Sequence, residues 1–433
     1  MGQGVLTPRG TADVEALLAD AGLERHGASL VMAGVPLSAV ADAVGTPAYV
    51  YNAEAVRARF AALDAALAAV PHRICYAVKA NGNLAVLRLL HDLGAGADIV
   101  SAGELARARA AGFPASRVVF SGVGKSADEL RAAVQAGVGH VNVESGEELD
   151  LLATIAAEAG QQVSVGIRVN PDVTADTHPY ISTGKSGIKF GIPTDQVVAA
   201  ATLIAAHPQL RLTSIAMHLG SQLMDTGPFQ EGIRRLLALV ADVRAAGIGT
   251  VQVLDVGGGL GIRYGAEAAM DPAAFAAAVV PLLAGSGLTL YVEPGRFLVG
   301  SAGVLLTSVL FRKHSGGKSF VIVDAGMNDL VRPALYGAHH RIEPVRLRER
   351  PAGRVDVVGP VCETADFLAR DRELEAVEPG ELLAVRDAGA YGFSMASTYN
   401  MRPRPAEVLI EGGAARLTRR RESFEDLVAA EIG

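Results

Sequence analysis

Apolar residues fall into short runs divided by longer stretches with helical spacing, and the alternation begins at Pro47. The first run, Ala48-Tyr49-Val50-Tyr51-Asn52, reads as a strand; Asn52 can then cap an Ala- and Leu-rich helix through Val70, ended by Pro71. Further strand-like runs lie at 74–80, 97–102, 118–122, 140–145, 163–170, 213–221, 251–258 and 289–295. Helical stretches fill the intervals at Leu84–Leu93, Gly103–Ala111, Ala127–Ala136, Glu147–Ala159, Gln196–Ala206, Phe229–Ala246 and Pro272–Leu283. Eight strands alternating with helices over roughly 220 residues predict an α/β chain with a (β/α)8 barrel; an open doubly wound sheet is the alternative. A barrel gathers its chemistry at the carboxyl ends of its strands.

After Gly300 the pattern changes. Val304–Phe311, Ser319–Val323, Val355–Val358, Leu382–Arg386 and Ala406–Ile410 are short strand candidates between Gly, Pro and charged turns, which predicts a β-rich domain. The expected organisation is a segment over 1–47, with a helix at Val14–Leu23, packing on that β-domain. A barrel over 48–300 and the β-domain over 301–433 follow, with a terminal helix at Glu425–Ile432.

Composition narrows the class. Hydrophobic residues make up 50% of the 433 and charged residues 20%, which gives a globular chain with an ample core. The net charge of -7 leaves no basic excess for nucleic acid or an anionic membrane. Cys75 and Cys362 are the only cysteines, so a disulfide framework and a cysteine zinc site are excluded, as suits a reducing cytosol. The start of the chain lacks the pattern of a signal peptide, and Leu6 stands where a myristoylation motif needs Ser or Thr. The uncharged run from Phe275 to Val292 is broken by Pro281, Gly285 and Gly287, and reads as helix then strand instead of a membrane span. A cytoplasmic protein is expected.

Lys79 is the first residue out of place. It closes Ile74-Cys75-Tyr76-Ala77-Val78, where an ammonium is costly to bury, and strand periodicity puts it on one face with Cys75 and Ala77. Either its head escapes to water, or it is a partly desolvated amine able to attack a carbonyl. Two phosphate motifs nearby fail. Gly124-Lys125-Ser126 has Val119 where a P-loop needs its first glycine. Gly257-Gly258-Gly259-Leu260-Gly261 has Ile262 where a dinucleotide fingerprint needs a small residue. Those three glycines still follow the seventh strand, and Glu293-Pro294-Gly295-Arg296 follows the eighth, the two loops between which barrels often bind phosphate. His218 ends the sixth strand in Met217-His218-Leu219-Gly220-Ser221; a lone histidine is more often structural, and Glu293 beside Arg296 could be a surface ion pair. Together, a lysine, an imidazole, a phosphate cradle and a carboxylate at one barrel mouth are what pyridoxal phosphate requires. His339-His340 has no metal ligands at suitable spacing and reads as surface.

Seven separated motifs then carry a resemblance: YAVKAN with Lys79, HLGSQ with His218 and Ser221, GGGLG from Gly257, EPGR from Glu293, GMNDLVRPALY with Arg332 and Tyr336, GPVCET with Cys362 and Glu363, and DAGAYGFSMASTYN with Tyr391. From about Thr46 to Met401 the chain resembles the alanine-racemase-like group IV pyridoxal phosphate decarboxylases. His178-Pro179-Tyr180-Ile181-Ser182-Thr183-Gly184 and Lys189-Phe190-Gly191 favour the diaminopimelate branch. Thr364 and Met401 depart from the family's usual residues without removing a group that has a role.

The resemblance implies decarboxylation of meso-2,6-diaminopimelate to L-lysine and CO2, the last step of lysine biosynthesis. Lys79 would carry the cofactor, His218 stack on its ring, and Glu293 hold the ring nitrogen. Gly257, Gly258, Gly259, Ser221 and Arg296 would grip the phosphate end, with Arg296 also near the substrate, and Pro294 and Gly295 would contact the cofactor. Arg332 and Tyr336 would bind the distal carboxylate and Glu363 the distal ammonium. Tyr391 would contact both cofactor and substrate. Cys362 would return a proton to the reacting carbon; the bland reading of a thiol is a small buried hydrophobe. The family pattern also implies a homodimer in which Cys362 and Glu363 reach the neighbouring subunit's barrel. A same-fold decarboxylase for another or a carrier-bound amino acid, a racemase, and a non-catalytic pyridoxal phosphate carrier are the rivals.

Overall fold

The computed structural model describes residues 22–173 and 187–431. The chain divides into two compact units. One comprises Phe60–Ile262 with Ala268–Phe297, the other Met1–Arg59, Arg263–Glu267 and Leu298–Gly433.

The first of these is a closed barrel of eight parallel strands: His72–Ala77, Gly96–Ile99, Val118–Phe120, His140–Val143, Val163–Asn170, Leu210–Ala216, Val253–Asp255 and Thr289–Val292. Val292 pairing with Ile74 closes the ring, and Ile192–Pro193 adds a short strand beside Val169 and Asn170. The helices begin where the sequence supplies caps. Ser101, Ser126 and Ser145 each accept from the N–H three residues on, and Asn83 and Asp271 from the N–H two residues on. Ala127–Ala136 and Pro272–Leu283 have the expected bounds, and the doubly wound alternative is ruled out by the closed ring.

The strands, however, stop earlier than the apolar runs that announce them. Pairing of the first strand ends at Ala77, opposite Asp98, and Val78–Ala80 form a 3-10 turn. The turn is fastened by Asn81 N–H to Val78 O at 3.1 Å and by Tyr76 Oη to Asn81 O at 2.9 Å. Lys79 therefore leaves the strand, and the expected shared face with Cys75 and Ala77 is corrected. His218, Gly257 and Glu293 likewise lie in loops just beyond their strands. Extended but unpaired backbone keeps a strand-like residue pattern without the ladder, so the pattern overshoots.

The other unit is built on a sheet in which Gly303–Ser315 pairs with Lys318–Val323, Leu382–Val385 and Ala48–Asn52. Ala48–Asn52 also runs parallel to Ala406–Glu411, so this strand belongs to the sheet and not to the barrel span expected from 48 onward. Its residues are all buried, like those of a barrel strand, which is why pattern alone misassigned it. Asn52 Oδ1 accepts from Glu54 N–H at 2.9 Å and starts the helix Ala53–Leu67, which ends short of Val70. The helix expected at 14–23 lies outside the described residues except at its end, where Leu23 opens the strand Leu23–His26. Leu23, Leu30, Met32, Leu37 and Val40 share one core cluster with Val50, Val304 and Val408. Phe367–Glu375 and Ala414–Arg419 are strands the charged sequence concealed, and the terminal helix is Phe424–Val428.

Candidate active site

The barrel mouth is built from the ends of its strands. Lys79, on its turn, donates to Asp98 Oδ2 at 2.5 Å. That turn is packed by the loop after the eighth strand. Ala77 N–H donates to Pro294 O at 3.3 Å, and a Cβ on Gly295 would meet Ala80 Cβ at 2.8 Å. Pro294 and Gly295 thus shape the lysine's seat. Next along, Arg296 is buried and donates from Nη2 to Ser221 Oγ at 3.0 Å, so two expected phosphate ligands touch each other.

The three glycines are closed in by protein on several sides. A Cβ on Gly257 would come within 2.5 Å of Met217 O, one on Gly258 within 2.2 Å of Glu293 O, and one on Gly259 within 2.7 Å of Gly220 O. Gly257 is also at φ +69, where L side chains are strained. Two of the amides are committed inside the site: Gly257 N–H donates to Asp255 Oδ1 at 2.9 Å, and Gly258 N–H to His218 Nδ1 at 3.2 Å. The second bond also fixes the histidine. Nδ1 accepts, so the ring is neutral, and burial, followed by the charges of Arg168 and Lys79, pushes its pKa well below the usual value.

Electrostatically the mouth is crowded with carboxyls. Glu293 is pushed well above the ordinary carboxylate range by burial, and then by Asp255 and Asp98. Asp255 is raised as well, chiefly by burial. Glu293, Lys79 and His218 line a cavity of about 410 Å³ together with Asn142, Arg168, Phe190 and the loop Ser121–Gly124. Arg168 pairs with Glu144 Oε1 at 2.7 Å and lies over the Phe190 ring at 4.8 Å. Asp98, Asp255, Asn142 and Arg168 escaped the sequence reading. The available signal was a lone acid inside a short apolar strand, as in Gly96-Ala97-Asp98-Ile99 and Val253-Leu254-Asp255.

The remaining candidates sit in the other unit. Arg332 is buried at the start of the helix Arg332–Tyr336, 2.8 Å from His340 Nε2 and with its guanidinium 4.6 Å from the centre of the Tyr264 ring. His340 is fully buried and donates from Nδ1 to Arg386 O at 2.8 Å, which leaves Nε2 to accept from Arg332. The surface reading of His340 is corrected: it orients an arginine. Asp366 carries the cysteine turn, taking Val361 N–H at 2.6 Å and Met327 N–H at 2.6 Å, and so joins two of the sequence motifs. Cys362 is exposed, its N–H held by Asn400 Oδ1 at 2.9 Å, and Glu363 accepts from the Tyr399 hydroxyl. Tyr391 is held at φ +55, in the left-handed region. His178–Gly184 lies outside the described residues.

An eight-stranded parallel barrel with a lysine, a neutral imidazole, a glycine cradle and a buried carboxyl at its mouth defines a pyridoxal-dependent enzyme. The family described as pyridoxal-dependent decarboxylase, pyridoxal binding domain, matches residues 53–300. Diaminopimelate decarboxylase of Pseudomonas aeruginosa is 51% identical over 93% of this chain and 97% of its own length. That of Aquifex aeolicus is 46% identical over 95% and 97%. The crystal structure of the Helicobacter pylori diaminopimelate decarboxylase complexed with L-lysine superimposes with a TM-score of 0.88 at 41% identity, covering 91% of this chain and 99% of that one. The chain belongs to the diaminopimelate decarboxylase family of pyridoxal-dependent decarboxylases.

The residues present fit pyridoxal phosphate. Glu293 Oε1 is buried with no hydrogen-bond partner among the described residues, as expected of an oxygen awaiting a ring N–H. The cavity lies within the roughly 300–1,000 Å³ of small-ligand sites.

Proposed function

We propose that this chain decarboxylates meso-2,6-diaminopimelate to L-lysine and CO2, closing lysine biosynthesis, as a cytoplasmic homodimer. The observation that carries the reading is the assembly of Lys79, neutral His218 and buried Glu293 at one barrel mouth, in a chain half identical to diaminopimelate decarboxylases along nearly its whole length. No described helix is long and apolar enough to cross a membrane.

When bound, pyridoxal phosphate supplies an aldehyde for the amine and a ring that accepts the electron pair left by CO2. Lys79 is the residue that would hold it, with Asp98 fixing Nζ against the cavity wall. The neutral ring of His218 would lie on the cofactor's face without adding a positive charge that competes with Glu293 for the ring nitrogen. Ser221, Arg296 and the Gly259 side of the loop would take the phosphate.

Selectivity is assigned to Arg332 and Tyr336 for the distal carboxylate and Glu363 for the distal ammonium. A site built around such charges strands them when a substrate lacks the partner groups. Tyr391 is assigned to both ligands. Cys362 Sγ would hand a proton to the carbon that lost CO2, on one face only, and so give the L product. In the homodimer Cys362 and Glu363 would be offered to the barrel of a second copy, a reading supported by the exposure of Cys362 and of Tyr399 and Met401, whose intervening Asn400 takes the Cys362 N–H.

The test is CO2 release from meso-diaminopimelate beside L-lysine and L-ornithine, after an absorbance scan for the bound cofactor. Turnover of either shorter-charged substrate at the same efficiency removes the diaminopimelate assignment.

A further inference from the structure

We propose that Asp255 is a positioning residue for the cofactor's ring nitrogen, holding the carboxyl of Glu293 on one side and the amide of the glycine loop on the other. The inference rests on the pyridoxal phosphate reading above and extends it to a residue that reading leaves without a role.

Asp255 ends the seventh barrel strand and is 2% exposed. Its Oδ1 takes the Gly257 N–H at 2.9 Å, while its carboxyl group and that of Glu293 hydrogen-bond each other. The main chain repeats the link. Glu293 N–H donates to Gly257 O at 2.8 Å, Val256 N–H donates to Tyr291 O at 3.0 Å, and Gly258 packs too tightly on the Glu293 carbonyl to bear a side chain. Asn142 reaches Asp255 from the fourth strand, and it fits only because Gly166 lacks a Cβ, which would lie 2.0 Å from Asn142 Oδ1. A carboxyl needing this much support is built in, since burial of an acid without partners is expensive.

The charges facing the pair decide its protonation. Asp98 enters from the second strand, Lys79 from the turn after the first, and Cys75 from the first strand below; Arg73 lies deeper, beside Cys75. His218, from the sixth strand's loop, is neutral. Asp98 is bound to Lys79. Two adjacent carboxyls then remain, and they can hydrogen-bond only if one holds a proton. With one Glu293 oxygen engaged by Asp255, Oε1 is left as the oxygen with no partner among the described residues. A ring nitrogen held there would take up the proton of the pair, one O–H bond giving way to one N–H bond, and both carboxylates would then attract the ring cation.

The experiment compares the affinity of the apo-protein for pyridoxal phosphate with that for the analogue in which C–H replaces the ring nitrogen, by absorbance titration. Unfolding midpoints are measured alongside for each variant. Wild type is expected to prefer the natural cofactor and E293Q to lose that preference. D255N, whose amide oxygen still accepts from Gly257, is expected to bind pyridoxal phosphate about tenfold more weakly and the analogue within about twofold of wild type. D255A, which also frees the loop amide, is expected to weaken both. If E293Q keeps the preference, the ring-nitrogen reading falls and the Asp255 proposal with it. If E293Q loses the preference while D255N keeps it, or D255N weakens both ligands equally, Asp255 alone loses its role.

Discussion

Lys79 Nζ lies 2.5 Å from Asp98 Oδ2 across the first two barrel strands, in the register that sets Ala77 opposite Asp98. The two ends of this pair are unlike: the Asp98 side chain is wholly buried, whereas the lysine side chain keeps 34% of its exposure. A surface pair would contribute little, and a buried carboxylate is tolerated here because the amine comes to it. The pair therefore sets where the amine stands. D98N preserves the shape and removes the charge. It is expected to fold, to lower kcat/KM by about 10- to 100-fold through misplacement of the amine, and to reduce borohydride trapping of cofactor at Lys79. Wild-type trapping and turnover in this variant would leave Asp98 without that role.

Cys362 stands in a turn fixed by Asp366 and Asn400, with its side chain exposed. Sequence and surroundings give it no packing to do, so a substitution there tests chemistry with little effect on folding. C362A is expected to bind the cofactor and unfold like wild type, with turnover about 100-fold lower. Run in deuterium oxide, the reaction should place the label on the reacting carbon without a preferred face. A stereochemically clean product at normal rate would move the proton transfer to another group.

His140 makes a prediction about pH. It sits inside the barrel with Nδ1 2.9 Å from Thr213 Oγ1 and its ring edge-on to Tyr291. Burial, followed by the charge of Arg73, lowers its pKa to about 4. The unfolded chain takes up the proton near pH 6.5, so stability is present above that value and lost as pH falls through the window to about 4, by up to about 1.4 kcal/mol per pH unit. Glu104 and Asp329, both raised to about 7, act in the opposite sense, losing their contribution as pH rises through that value. Comparing H140Q with wild type at each pH cancels them. The gap between the two proteins should shrink from pH 7 to pH 4.5; a constant gap contradicts the assignment.

The barrel was legible because each strand–helix step carries its own local signals, such as Ser126 and Glu129 forming a capping box at the start of Ala127–Ala136. Lys79, His218, Gly257 and Glu293 were legible as polar or glycine residues interrupting apolar runs. What stayed hidden depends on partners distant in sequence. His340 is buried because Tyr264 and Arg332 enclose it, and nothing in Gly337-Ala338-His339-His340 announces that. Asp98 and Asp255 were absorbed into apolar strands, since a period-2 pattern tolerates one inward acid per strand and does not say which one faces a cavity. Ala48–Asn52 shows the same ambiguity at the level of domains: a strand buried on both faces looks alike in a barrel and in a sheet.

Lys125, in the rejected phosphate motif, turns out to be a fully committed structural ammonium. Its side chain is 1% exposed, and Nζ donates to Gly122 O at 2.6 Å, Asn142 O at 2.7 Å and Glu148 Oε1 at 2.6 Å. All three of its donors are used, which leaves none for a phosphate. The arrangement ties the loop after the third strand to the helix Gly146–Ala159, whose Glu148 also takes the Glu144 N–H at 3.0 Å. Glu144 in turn accepts from Gly122 N–H and from Arg168, so the cavity wall at Ser121–Gly124 hangs on this network. K125M strands a buried carboxylate and two carbonyls, and is expected to cost about 3–5 kcal/mol. K125M/E148Q removes the orphaned charge and should recover at least about half of that loss. Urea unfolding followed by circular dichroism measures both, since the chain contains no tryptophan to report by fluorescence. A loss below about 1 kcal/mol for K125M, or a double variant no better than the single, means that the wall is held by the backbone and not by this ammonium.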